Sequence, residues 1–549
     1  MKLSTSNLAI FGLAAFLFAC GGKSIQLDRR TESEIGSSLS KRKELVRGNP
    51  LYLTLVADLE KGRSQLDNSD LQEAFRTFGD ILKNTRYINF PEYSFAKYYM
   101  ALTLEKMGAS YGALLYFVDI VEKEPLRVHT HESLRRAIQI AQKLHDDELI
   151  LYLASVIPPN KVPKSLTEEF RYYIAKDLYQ KKDYDRSARL LATIPRTHRM
   201  YLAARYLMGV IDTQRDRYRD AIEDFTAITQ QSKRTAKYYE DYKIRQLTSL
   251  ALGRLFYESK NYPLAFVHYR KVDRKSEYFP QALYESSWGL FKIHKFNEAL
   301  SVLHSVNSPF FEQIYYLKSY MLKGAIFLEL CLYQDAVGSL TEAEREFVSV
   351  GKQIDQFVRE GRPPQQYYQG ISAKRPLPNG KLEYRYLDLF NLAAENPDFR
   401  ASHRYIQELQ GEQKTLNAMN YPRAKLIASL IRQKEQDVIN KASYLAGQKM
   451  KLTKELVNDF FQMKDILRYE IVSSERKILQ TRSLRLAPPV LTDIQLIKPK
   501  FTESLRETLV WWDYDGEYWK DELGYYLYGL KSLCKDSADA LVAFSGGKR

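Results

Sequence analysis

Three cysteines in 549 residues, none in a Cys-x-x-Cys spacing, leave neither a redox pair nor a thiolate cluster for a metal. Cys331 and Cys534 can pair in an oxidising compartment, but their separation is large and sequence does not show whether they approach. The eight histidines are scattered; His129 and His131 form a near pair without a cysteine or a regularly spaced acid beside it. No glycine loop of the phosphate-binding kind precedes a helix, and no Gly-x-Ser-x-Gly elbow occurs. The residues therefore predict no catalytic group, no cofactor and no metal.

What is present is apolar material for real cores, 45% of the chain, and a net charge of +15. The basic residues are interspersed with almost as many acids, with no long Arg/Lys stripe, which argues against nucleic acid. Anionic lipid head groups or acidic wall polymers are the more natural counter-charges. Forty tyrosines need an explanation.

Lys2 precedes a short apolar stretch from Leu8 to Ala19 that closes on Leu17-Phe18-Ala19-Cys20. This is too short to span a bilayer and reads as a secretion signal ending in a lipid-attachment cysteine. The segment resembles those of bacterial lipoproteins. That resemblance implies a signal over 1–19, acylation of Cys20, membrane anchoring through the lipid, and, with Gly21 following, an outer-membrane location on the periplasmic face. Residues 20–50 read as a flexible tether, rich in Gly, Ser, Arg, Lys and Glu.

The middle of the chain repeats itself. Gly209, Tyr218, Ala221, Phe225 and Ile228 recur in order as Gly253, Tyr262, Ala265, Tyr269 and Val272, then as Trp288, Phe296, Ala299 and Leu303, then as Gly324, Tyr333, Ala336 and Leu340. Earlier copies run through Ala101, Gly108, Ala113 and Phe117 and through Ala175, Tyr184, Ser187 and Leu191. The steps Ser187 to Ala221 and Ala265 to Ala299 are both 34 residues. Each unit reads as two amphipathic helices around a tight turn, with small residues at the crossing; such a unit must stack on its neighbours to bury its apolar face. The pattern resembles the tetratricopeptide repeat family, with six good units over 90–350 and irregular ones over 51–88 and near 138–153. The expected fold class is all-α: a tetratricopeptide-like helix-pair solenoid over 51–350 with a long-helix C-terminal region.

In that family partners lie on the concave face lined by the first helix of each unit. Carried over by position, the resemblance implies a partner groove through Tyr98, Tyr172, Tyr179, Tyr206, Arg254, Tyr257, Tyr284, Trp288 and Phe291. Rings in this pattern fit a peptide or protein groove, and they equally fit packing between neighbouring helices.

Residues 351–422 are rich in turns and read as an irregular linker or flap. Residues 423–486 carry apolar positions at three- and four-residue steps; an antiparallel pair, a helix lying on the solenoid and a coiled coil all suit them. Residues 487–549 hold the densest aromatic cluster, including Trp511, Trp512, Trp519, Tyr525 and Tyr526. Packed as an amphipathic helix, the cluster caps the solenoid; exposed, it is a docking patch. Its acids lack the spacing of a calcium loop. The segment resembles the C-terminal part of repeat-containing envelope accessory proteins of gliding and predatory bacteria. The expectation is a lipid-anchored envelope adaptor that binds protein partners of a motility, secretion or pilus-type complex, with no nucleic acid. The alternatives are a cell-wall or glycan binder or enzyme, and a self-associating structural lipoprotein.

Overall fold

Short antiparallel helix pairs build most of this chain, and one kind of turn joins the members of each pair. The computed structural model describes residues 31, 33–37, 48–123, 129–157, 162–230, 239–311, 317–376, 382–481, 518–520, 522–532 and 534, with backbone alone at 239–240, 317 and 477–481. The first four pairs are α1 (Pro50–Asp67) with α2 (Leu71–Lys83), α3 (Tyr93–Lys106) with α4 (Ser110–Lys123), α5 (Thr130–Leu144) with α6 (Asp147–Val156), and α7 (Lys164–Gln180) with α8 (Tyr184–Ala192). Then come α9 (Tyr201–Gln214) and α10 (Tyr218–Gln230), α11 (Tyr239–Glu258) and α12 (Tyr262–Tyr269), α13 (Phe279–Lys292) and α14 (Phe296–Val306), and α15 (Leu317–Glu329) and α16 (Tyr333–Arg359).

Just beyond the first helix of each pair one residue turns left-handed: Ser69, Gly108, His145, Lys182, Asp216, Lys260, His294 and Cys331 have φ between 57° and 80°. The next backbone N–H reaches back five residues to a carbonyl at 2.8–3.0 Å, as from Asp183 to Leu178 and from Leu332 to Phe327. This closes two orphan helix-end groups and reverses the chain within a few residues. In three of the pairs the side chain after the turn also caps the next helix. Asp146, Asp183 and Asn261 accept from the N–H groups of Leu149, Arg186 and Leu264 at 3.2–3.3 Å. Where the two helices cross, Ala221, Ala265, Ala299 and Ala336 are fully buried. A Cβ at Gly253 meets the buried Tyr269 ring at 2.6 Å, so glycine sets that approach.

The described residues fall into two compact units, one from 1–211 and 396–445, the other from 212–395 and 446–549. In the first, the pairs through α8 and most of α9 are joined by α19 (Pro397–Ala418) and the start of α20 (Pro422–Thr481). Tyr421, between these two helices, lays its ring against Gly79 and edge-on to Phe75, and its hydroxyl donates to Asp80 at 2.7 Å.

The second unit holds α10 to α16, a short α17 (Tyr367–Ser372), a two-stranded ribbon of β1 (Lys374–Pro376) and β2 (Leu382–Tyr384), α18 (Leu387–Ala394) and the remainder of α20. The ribbon is antiparallel and pairs Arg375 with Glu383. The extended α16 and α20 stack Phe347 on Phe460 with ring centroids 4.0 Å apart, and Lys464 and Arg468 both hold Glu344.

The all-α, helix-pair class describes the molecule. The reading of 351–422 as irregular does not: α16 continues to Arg359, and α18 and the 22-residue α19 occupy its second half. Pro397 and Pro422 do not break helices there. Each stands in a first turn, where a missing N–H is harmless and the fixed φ is already helical. Residues 423–481 continue as one helix, and Gln410 and Gln413 of α19 both donate to Glu435 in its first part.

Replacing a strained left-handed residue by glycine and filling the Gly253 contact should move stability in opposite directions. Lys260→Gly gains about 0.5–1 kcal/mol in denaturant unfolding, whereas Gly253→Ala loses about 1–3 kcal/mol as Tyr269 is displaced. Equal midpoints for the two variants would contradict the role given to the turn and the crossing.

Candidate functional site

Most of the groove positions carried over from the repeat family lie inside the molecule. Tyr98 is fully buried among the rings of Tyr99, Phe117 and His129. Tyr172 stands edge-on to Tyr173 and, like Tyr206 and Tyr257, is buried. Burial pushes the Tyr172 phenol far up. For these four the packing reading replaces the partner reading: each ring fills the seam between neighbouring helices, and no face of it is left for a ligand. Tyr179 is half-buried beside Tyr184. Much of the tyrosine content is thus core material with a hydroxyl at its edge.

The second unit keeps a partly accessible row. Tyr284, Trp288 and Phe291 share α13 and are half-buried, with Trp288 edge-on to Phe291 at 6.3 Å. Burial pushes the Tyr284 phenol up to about 12, although a hydrogen bond from Trp288 pulls the other way. Arg254 of α11 faces the same helix and makes a two-point ion pair with Glu285 at 2.6 and 2.8 Å. This guanidinium is already matched by a carboxylate of the chain itself, so it steadies α13 rather than waiting for a ligand.

Sequence reasoning missed the way residues 396–445 engage the second helices of the first unit. The N-cap position of α4 is Ala109, which has no acceptor. Glu412, some 300 residues away on α19, supplies one. Its carboxylate accepts from Tyr111 N at 2.9 Å and from Gly112 N at 3.2 Å. Gly112 also lets Ile427 come close; a Cβ there meets it at 3.3 Å. At α6, the cap residue Asp146 receives Lys434 at 2.6 Å and the Tyr405 hydroxyl at 3.3 Å. The only signal for this in sequence is the missing cap at Ala109.

The C-terminal aromatic segment divides. Cys20, Trp511, Trp512, Asp513, Asp515 and Glu517 lie outside the described residues. Trp519 is 51% exposed, Tyr525 lies under the Arg274 guanidinium at 3.8 Å, and Tyr526 is fully buried. Residues 518–520 and 522–532 form turns and an extended run, not the amphipathic helix expected. Leu523, Tyr526, Tyr528 and Leu530 enter the core made by α11 to α16, together with Leu467 and Ile471 of α20. Tyr526 therefore belongs to packing rather than to a docking patch. An extended strand leaves backbone groups unpaired, and α14 satisfies them. Asn297 both donates to Leu530 O and accepts from Leu530 N, at 3.0 and 3.1 Å. Ser301 accepts from Tyr528 N at 3.0 Å, and Ser305 from Gly524 N at 2.8 Å. His304 lies among Tyr518, Tyr526 and Tyr528, and burial, with Lys323 nearby, holds its imidazole down at about 4.

Cys534 ends the segment in a disulfide to Cys331, with Cα atoms 5.4 Å apart and a sequence separation of 203. Cys331 is the left-handed turn residue of the last helix pair. By chain-entropy reasoning, closing a loop of that length restrains the unfolded chain by roughly 5 kcal/mol. Among the described residues no group of three or more His, Cys, Asp or Glu is placed to hold a metal ion, and no helix is long and apolar enough to cross a membrane.

No family model matches the chain, and no curated protein matches it. Solved structures do. The apo form of the quorum sensor NprR from B. thuringiensis aligns over 55% of this chain and 94% of its own, at 13% identity and a TM-score of 0.32. A tetratricopeptide repeat protein from Parabacteroides merdae aligns over 53% and 93%, at 14% identity and a TM-score of 0.22. The tetratricopeptide domain of P58(IPK) aligns over 71% and 99%, at 15% identity and a TM-score of 0.18.

Burial pushes the Glu412 carboxyl up to about 7 against the pull of the two backbone N–H donors, with Glu408 adding to the rise and Lys143 opposing it. The folded chain therefore holds a proton that the unfolded chain releases near its ordinary value of 4.5. Stability contributed through this group is fully present below that value and is lost as pH rises through about 7. Glu412→Gln, a permanent stand-in for the protonated acid, should flatten the fall in Tm between about pH 5 and pH 7.5. Calorimetry showing the same slope in both proteins would contradict this.

Proposed function

We propose that this protein is a lipid-anchored adaptor of the bacterial cell envelope, which holds protein partners of an outer-membrane complex by binding and makes no bonds. The observation that carries the binding role is the row Tyr284, Trp288 and Phe291: aromatic side chains left half-accessible along one helix of a rigid helix-pair array, steadied by the Arg254–Glu285 pair. Aromatic anchors on a fixed scaffold bind at low entropic cost, and an array presents several at once.

The envelope location rests on the Leu17-Phe18-Ala19-Cys20 segment. The Cys331–Cys534 disulfide favours the same placement, because such bonds persist mainly outside the reducing cytosol. The acyl groups on Cys20 would confine the array to the membrane, and confinement raises the local concentration of partner and scaffold together. The motility, secretion or pilus-type assemblies suggested by the aromatic C-terminal segment are the partner class to look for.

Self-association is a second reading, favoured by Ile466, Tyr469 and Val472, which stand 49%, 73% and 60% exposed at three-residue steps on α20. The two readings separate in one experiment. Intact cells are cross-linked, the protein is purified, and its companions and mass are measured beside Cys20→Ala and Trp288→Ala controls. A defined set of envelope proteins, lost in both controls while the far-ultraviolet spectrum is unchanged, is the expected result. A preparation free of partners whose mass is a multiple of one chain would instead support self-association and overturn the adaptor reading.

A further inference from the structure

The contacts between α14 and residues 523–530 have the chemistry of peptide recognition. Asn297, Ser301 and Ser305 meet this segment through its main chain: Asn297 donates to Leu530 O and accepts from Leu530 N, Ser301 accepts from Tyr528 N and Ser305 from Gly524 N, while the two hydroxyls donate to Asn297 O and Ser301 O of their own helix. These three side chains lie one helical turn apart on a single stripe, so they read an extended backbone whatever its side chains. Specificity comes from the flanks. Leu523, Tyr526, Tyr528 and Leu530 enter the apolar core, the Tyr528 hydroxyl meets His304 Nδ1 at 3.1 Å, and Gly524 at φ 84° turns the chain beside Phe279 and Leu283. α14 is the second helix of its pair, so this stripe is distinct from the first-helix row of Tyr284, Trp288 and Phe291.

The occupant is attached to the scaffold by the disulfide at Cys534. Both cysteines are half-buried, which leaves the bond within reach of a small thiol.

We propose that the Asn297–Ser301–Ser305 stripe is a binding site for a peptide that turns at a glycine and runs on extended, carrying leucine and tyrosine side chains, which the chain fills with its own residues 523–530 as a displaceable stand-in latched by Cys331–Cys534. This deepens the protein-binding reading and rests on it for its role in the cell. The latch opens by exchange with a dithiol reductant. A reductant thiolate attacks the Cys534 sulfur, and Cys331 departs as thiolate. The second reductant thiol then displaces Cys534, so the reductant leaves as a disulfide and both cysteines are reduced. A partner segment of the same chemistry then competes for α14 against an occupant that has lost its tether at that end.

The test uses the whole chain, oxidised and reduced, and a fluorescein-labelled synthetic peptide of residues 522–532. Reduction should raise hydrogen exchange at the Tyr528 and Leu530 amides at least tenfold. The reduced chain should bind the peptide saturably in fluorescence anisotropy, and the oxidised chain should bind it at least tenfold more weakly. A peptide N-methylated at the leucine equivalent to Leu530 loses the donor to Asn297 and should also bind at least tenfold more weakly, with the protein itself unaltered. Unchanged exchange on reduction, no binding to the reduced chain, or equal binding of the methylated peptide each overturns the proposal. A chain that ignores the peptide yet captures envelope proteins in cells rejects this site alone. One that binds the peptide yet captures nothing rejects the adaptor reading alone.

Discussion

A pair of short amphipathic helices cannot stand alone, because each flank of the pair is apolar and further chain must cover it. Every larger feature of this chain answers that constraint. Within each unit, pairs cover pairs. What remains uncovered is closed by chain from far along the sequence: α19 and the start of α20 in the first unit, the rest of α20 and residues 523–530 in the second. The long-range closures are chemically specific. Glu412 caps the bare N-terminus of α4, and Asn297 takes both backbone groups of Leu530. In each case a buried polar group left over by one element is satisfied by another, which fixes register as well as contact.

This closure explains why the aromatic inventory is poor evidence for a ligand groove. Tyr98, Tyr172, Tyr206 and Tyr257 are where the repeat family places its contact residues, and all four are consumed by packing. A tyrosine suits such a seam because its ring fills volume while its hydroxyl can end at a polar partner. Accessible aromatics persist where the packing leaves them: in part along α13, and more openly at scattered single positions such as Tyr444, Tyr469 and Trp519.

The helix pairs were legible in the sequence because the spacing of Ala221, Ala265, Ala299 and Ala336 reports the crossing of two helices, a local event repeated many times. The turns were less so. Lys182, Lys260 and Cys331 adopt a backbone conformation usually signalled by glycine or asparagine, and the Schellman bonds hold them there against propensity, helped at Lys182 and Lys260 by the cap residue that follows. The helix α19 was hidden by prolines that mark helix starts rather than breaks. The closures were legible only as open possibilities: two cysteines able to pair, an aromatic segment able to cap, and a helix start at Ala109 without an acceptor. Nothing near Glu412 names Tyr111, nothing near Cys534 names Cys331, and pairing over hundreds of residues is set by the three-dimensional path of the array.

If the chain's late segments complete the repeat array rather than form a separate appendage, α16 and the second half of α20 must open together. Native-state hydrogen exchange against denaturant on the intact protein measures this directly. The account predicts that amides of 344–357 and 454–471 share one opening free energy and one denaturant dependence, because the Phe347–Phe460 stack and the Glu344 ion pairs join them. Early, independent exchange of 454–471 while 344–357 stays protected would contradict it.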